Sequence, residues 1–126
     1  MSTQLVWELV KKHNAFIRKS VNGTVLSAEP GNLANKSSYK YSGLANRTAT
    51  VDVAAADGAV VVSKSSKKSK AGKLAGSIVK KNARRTNHAA GAEAVSAGRA
   101  DLKHAAMARA AALHKGIRTA KAVSAQ

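Results

Sequence analysis

The residues of this chain best suited to chemistry are its cations, and the chemistry they suit is phosphate binding. Lys64, Lys67, Lys68, Lys70, Lys73, Lys80, Lys81, Arg84 and Arg85 fall within the 22 residues KSSKKSKAGKLAGSIVKKNARR, which hold no Asp or Glu. Like charges at this density repel, so the stretch gains little by packing on itself and much from a partner of opposite sign. A phosphate backbone is the partner most often met by such a composition; the alternative is a solvated linker. The rest of the chain leans toward the first reading. Its net charge is +16 over 126 residues, with net +3 in residues 1–60 and net +13 in residues 61–126. Such asymmetry points to nucleic acid or an acidic surface.

Other chemistries find no support. The histidines, His13, His88, His104 and His114, have no HExxH spacing, and there is no Cys to join them, so no metal site is expected. Glu8, Glu29, Asp52, Asp57, Glu93 and Asp101 are scattered, with no pair placed for general acid–base work. Neither GxxxxGK[ST] nor GxGxxG occurs. The expectation is a binding protein and not an enzyme, with no catalytic residues, no cofactor and no small-molecule substrate. The missing cysteines exclude a disulfide scaffold. No apolar run has the roughly 18 residues of a membrane helix, so no membrane partner is expected. The start, MSTQLVWELVKKH, lacks the pattern of a signal peptide, which suggests an intracellular protein. The run SKSSKKSKAGK could serve as a nuclear import signal.

The elements that must carry these cations can be read in outline. Ser2 or Thr3 can cap a first helix with Leu5, Val6, Leu9 and Val10 on its apolar side, Trp7 in the core, Lys11 to His13 in the last turn and Asn14 as the stop. Asn22-Gly23 predicts a hairpin between residues 15–20 and 24–28. Tyr39 and Tyr41 alternate with polar residues, which predicts a strand with both rings on one face, covering the core or touching RNA among Lys36, Lys40 and Arg47. Asp57-Gly58 predicts a second hairpin, with Val51 and Val53 on one face. Residues 74–79 fit either a strand or a helix start.

Beyond them, Asn82 can cap an Ala-rich helix that Gly98 closes. Asp101 opens a second helix with the stripe Leu102, Ala106, Ala110, Leu113 and Ile117. Lys103, His104, Lys115 and Arg118 face outward, Gly116 ends the helix, and a frayed tail follows. The large apolar residues cluster before residue 62, and Ala supplies 27 residues, so the core is expected in the first half, with the second half ordered by its partner. The resulting class is α+β: a small domain of one helix and antiparallel β-hairpins over residues 1–63, a basic connecting segment over 64–81 and an Ala-rich helical extension over 82–126.

The succession LVWELVKKHNAFIRK, SAEPGNL, SYKYSGLANR, AADGAVVV, KKNARR and ADLKHAAMARAAAL resembles the eukaryote-specific (e-type) large-subunit ribosomal protein twenty-eight family. The resemblance spans most of the chain. It implies a structural constituent of the large subunit of cytosolic ribosomes, bound to large-subunit ribosomal RNA beside other large-subunit proteins. Such a protein is cytoplasmic and passes through the nucleus and nucleolus during assembly. The residues expected on RNA are Lys67, Lys68, Lys70, Lys73, Lys80, Lys81, Arg84 and Arg85, with Arg18, Lys19, Lys36, Lys40 and Arg47 as a second tier. Arg84 and Arg85 should matter most individually, since a guanidinium can grip phosphate with two bonds. Few aromatics are available for stacking, so RNA shape is the expected basis of recognition. The rival readings are a pre-ribosome assembly factor and a DNA-compacting, linker-histone-like protein.

Overall fold

Val51 and Val53 flank Asp52, and Val60 and Val62 flank Val61; residues two apart share a strand face, so each pair puts one apolar row on its strand. The computed structural model describes residues 2–46, 50–56, 58–65 and 74–125. The class is α+β. The chain runs α1 (Thr3–Val10), β1 (Ile17–Lys19), β2 (Val25–Ser27), β3 (Val51–Ala56), β4 (Ala59–Ser65), β5 (Leu74–Val79), α2 (Ala83–Ser96) and α3 (Lys103–Ser124), with a 3-10 turn at Ala100–Leu102 leading into α3. β1 and β2 form a two-stranded sheet; β3, β4 and β5 form a three-stranded antiparallel sheet in that order. Val53 pairs with Val62, and Val60 with Val79, so the valine rows share one face. α2 and α3 pack against each other and against that face.

The core lies between this sheet and the two helices. Val51, Val53, Val60 and Val62 meet Ala90, Ala94, Leu102, Ala106 and Ala110 there, with Leu33 at the edge. This corrects the expectation that the core lies before residue 62. The alanines are how the helices come close: each methyl adds little transfer energy, but small side chains let whole helix faces approach and be buried. Gly91 lies in this contact, and a Cβ there would stand 3.0 Å from Met107 Cγ and 3.1 Å from its sulfur.

Asn82 caps α2, its side-chain oxygen accepting from the Arg85 N–H at 3.0 Å. Gly98, at φ +86°, reverses the chain after α2, as its place in the sequence predicts. Asp101 falls in the 3-10 turn before α3. Gly116 does not end α3, which continues to Ser124 where fraying was expected. Ile117 explains this: it packs on the core one residue beyond the glycine, and that contact outweighs the roughly 1 kcal/mol propensity penalty of a helical Gly. Residues 74–79, open between helix and strand, are strand β5, because their backbone completes the β4 edge.

The first 28 residues are peripheral. Ser2 caps α1 by accepting from the Leu5 N–H, and Asn14 stops it, donating to the Val10 carbonyl and accepting from the Phe16 N–H. Lys11 to His13 follow the helix instead of filling its last turn, and α1 buries no residue. Trp7 is therefore not a core residue; it is half-buried and meets Tyr39 edge-on, with ring centroids 6.5 Å apart. The Asn22-Gly23 hairpin forms as predicted.

The expected Tyr39–Tyr41 strand is absent: residues 39–41 are turns. Side chains compete here for the backbone. Asn46 donates to the carbonyls of Tyr39 and Ser42, and Ser42 Oγ accepts from the Ala45 N–H. The two rings part, Tyr39 toward α1 and Tyr41 onto the core.

Candidate nucleic-acid interface

The best-placed cations stand where β5 hands over to α2. Lys80 and Lys81 leave the sheet, Asn82 caps, and Arg84 and Arg85 occupy the first helical turn. Thr86 is fully buried beneath them and donates to the Lys81 carbonyl at 3.1 Å, which fixes the backbone under the basic corner. Lys81, Arg84, Arg85 and His88 recur at helical spacing. With Ala89 they line an open depression of about 400 Å³. All four side chains are exposed, and none takes part in an ion pair among the described residues.

Their position is electrostatically unfavourable to the free protein. The first turn of α2 carries no acid, and cations near a helix N-terminus oppose its dipole by roughly 0.3–1 kcal/mol each. A phosphate in the depression would turn both terms favourable, binding the arginines and the dipole together.

Lys80 and Lys81 also border a cleft of about 480 Å³ between the β3–β4 turn and the far end of α3, where they meet His114, Arg118 and Lys121. Lys121 escaped the sequence reading, His114 entered it only as a rejected metal ligand, and Arg118 only as an outward residue. The 114–118–121 spacing was a usable signal, hidden by the assumption that Gly116 ended the helix.

The second-tier residues lie elsewhere. Lys36 and Lys40 hold their ammonium groups 6.0 and 5.4 Å from the Tyr41 ring centre. Arg18 is turned back on its own loop, donating to the carbonyls of Ala15 and Ile17. Lys19 is exposed at the end of β1. None of these four lines either depression. Arg47, Lys67, Lys68, Lys70 and Lys73 lie outside the described residues, as do Asp57 and most of the import-like run. Lys64, at the start of the basic stretch, is bound to α2, its ammonium 2.9 Å from Glu93 and 2.8 Å from Ser96 Oγ. At both ends, then, that stretch does pack on its own chain.

Two arginines are committed inward. Arg109 donates to the carbonyls of Val53 (2.7 Å), Asn32 (3.2 Å) and Leu33 (3.3 Å). Arg99 donates to the Lys40 carbonyl and to both carboxylate oxygens of Asp101. The latter bonds hold the Asp101 carboxyl below its ordinary 3.8, against a smaller opposing effect of burial. Among the described residues, no cluster of three His, Cys, Asp or Glu is placed to hold a metal, and no helix is long and apolar enough to cross a membrane.

Residues 5–116 match the Ribosomal L28e protein family. A large ribosomal subunit protein eL28 from Dictyostelium discoideum is 67% identical over 63 residues, 50% of this chain and 46% of that protein. The protein of the same name from Caenorhabditis elegans is 43% identical over 74 residues, 58% of each chain. The chain thus matches about half the length of these curated relatives.

Proposed function

This chain belongs to the Ribosomal L28e protein family, and from that premise we propose that it is a structural, non-catalytic constituent of the large subunit of the cytosolic ribosome. Its work is to hold folded large-subunit ribosomal RNA by charge and shape. The observation that carries this reading is the basic corner. Lys80, Lys81, Arg84 and Arg85 stand exposed on a backbone fixed by Thr86 and Asn82, at a helix start where only an anionic partner removes the electrostatic penalty. Lys67, Lys68, Lys70 and Lys73 extend the same contact along the chain, and Lys19, Lys36, Lys40, Arg18 and Arg47 add weaker ones. The exposed Leu5, Leu9, Val25 and Leu26 of α1 and the first hairpin offer apolar surface to neighbouring large-subunit proteins. The protein works in the cytoplasm after passing through the nucleus and nucleolus for assembly. The relatives' names favour the mature subunit over an assembly precursor or chromatin.

The test is binding to large-subunit RNA across a salt series, with Lys80, Lys81, Arg84 and Arg85 then changed to Ala. The logarithm of affinity should fall with log salt by roughly 0.7 for each phosphate neutralised, and the fourfold variant should lose that share of the slope. Sedimentation should place the protein with large subunits in polysomes. Binding indifferent to both salt and substitution would reject the reading, and so would sedimentation with chromatin or with nuclear precursors alone.

A further inference from the structure

The cleft between the β3–β4 turn and the end of α3 has a lining that phosphate alone does not explain. Buried or half-buried Val60, Val79 and Ile117 give it an apolar floor, and the exposed Lys80, Lys81 and Lys121 line it beside them. His114 and Arg118, four residues apart on α3, add two flat polar groups on one helix face. Among the described residues no acid lines it, and the three described ion pairs lie elsewhere.

An apolar floor serves no purpose for a bare phosphate, and three ammonium groups serve none for an apolar ligand. A ligand with a flat apolar part and an adjoining anion uses both. At about 480 Å³ the cleft falls within the roughly 300–1,000 Å³ of small-ligand pockets and is too small for a duplex. Unstacked RNA bases are commonly held on imidazole and guanidinium planes. Resting on the RNA-binding reading above, we infer that this cleft takes one unpaired, extruded nucleotide of the RNA. Its base lies against His114, Arg118 and Ile117, and its flanking phosphates meet Lys80, Lys81 and Lys121. Lys81 borders both depressions, so the extruded nucleotide and the phosphates over Arg84 and Arg85 can belong to one continuous strand. Recognition then includes one splayed base as well as RNA shape.

The experiment compares two hairpin RNAs of matched length and charge, one fully paired and one carrying a single unpaired 2-aminopurine. The full-length protein should bind the second about tenfold more tightly and change its fluorescence. His114→Ala should remove the preference, and His114→Phe, which restores a ring, should keep it. Arg118→Ala, at an exposed side chain, should weaken the preference with the fold intact by circular dichroism. Arg84→Ala with Arg85→Ala should weaken both RNAs alike. Equal, salt-dependent binding of the two RNAs would overturn the cleft assignment alone, as would a preference that survives His114→Ala. Polyglutamate displacing the bulged RNA as well as RNA does would assign the cleft to acidic protein and overturn it. Failure of either RNA to bind in a salt-dependent way would overturn the RNA-binding reading and the cleft assignment together.

Discussion

Arg109 and Arg85 carry the same guanidinium on two helices that pack together, yet their surroundings assign them opposite work. Arg109 reaches three backbone carbonyls from the sheet edge and the Asn32–Leu33 loop, groups that have no hydrogen to offer one another. Arg85 uses its backbone N–H to complete the Asn82 cap and leaves its side chain in water. One closes the fold; the other advertises charge. A count of +16 therefore overstates what this protein can present to a polyanion, since Arg99, Arg109 and Lys64 spend their donors internally.

The contrast breaks if Arg109→Ala is tolerated. The substitution leaves the Val53, Asn32 and Leu33 carbonyls without their charged donor, and it should destabilise the protein by about 2–4 kcal/mol. Urea unfolding measures this as a lower midpoint at unchanged slope. Lys in place of Arg should recover only part of the loss, since one ammonium cannot copy the fork that reaches three oxygens. Gly91→Leu should follow, at about 1–3 kcal/mol, because a side chain there must displace Met107 and Lys103 across the helix contact.

The outward arginines should behave in the reverse way. Arg84→Ala with Arg85→Ala should leave stability within about 0.5 kcal/mol, or raise it slightly, by removing cations from the positive end of α2. The RNA salt slope should meanwhile fall by about 1.4, two contacts at roughly 0.7 each. A double variant that unfolds while still binding RNA normally would erase the distinction between the two kinds of arginine.

Local chemistry was legible in the sequence where one residue type decides the outcome. Asn82 and Gly98 bracket α2, Asn22-Gly23 turns the first hairpin, and the Val51/Val53 alternation marks the face of β3. Outcomes set by distant partners were not legible. Gly116 looks like a stop until Ile117 is known to pack on the core, and that error hid Lys121 from the site, while His114 was weighed only as a metal ligand. Tyr39 and Tyr41 alternate like a strand, but Ser42 and Asn46 offer the backbone nearer partners. The Ala-rich half looked too poor in large side chains to hold a core. Close helix approach, which composition does not display, made it half of one.

The smallest expected effect tests whether an internal arginine is held by backbone or by charge. Arg99 bonds both the Lys40 carbonyl, at 2.7 Å, and the Asp101 carboxylate, whose side chain is 50% exposed. Because Arg99 lowers the folded Asp101 value below the ordinary 3.8, the pair stabilises the fold above that pH. Its contribution fades as the pH falls through the lower, folded value, when the carboxylate takes up its proton. Solvent screening keeps the gain below about 1 kcal/mol. Asp101→Asn should therefore lower stability slightly at neutral pH and match the parent in strong acid, where both side chains are uncharged. Arg99→Ala should cost more at neutral pH and stay below the parent in acid, because the Lys40 carbonyl has lost its donor at every pH. Urea midpoints compared between acid and neutral pH separate the two terms. Equal curves for the two variants would assign Arg99 to Asp101 alone and remove it from the class of backbone-holding arginines.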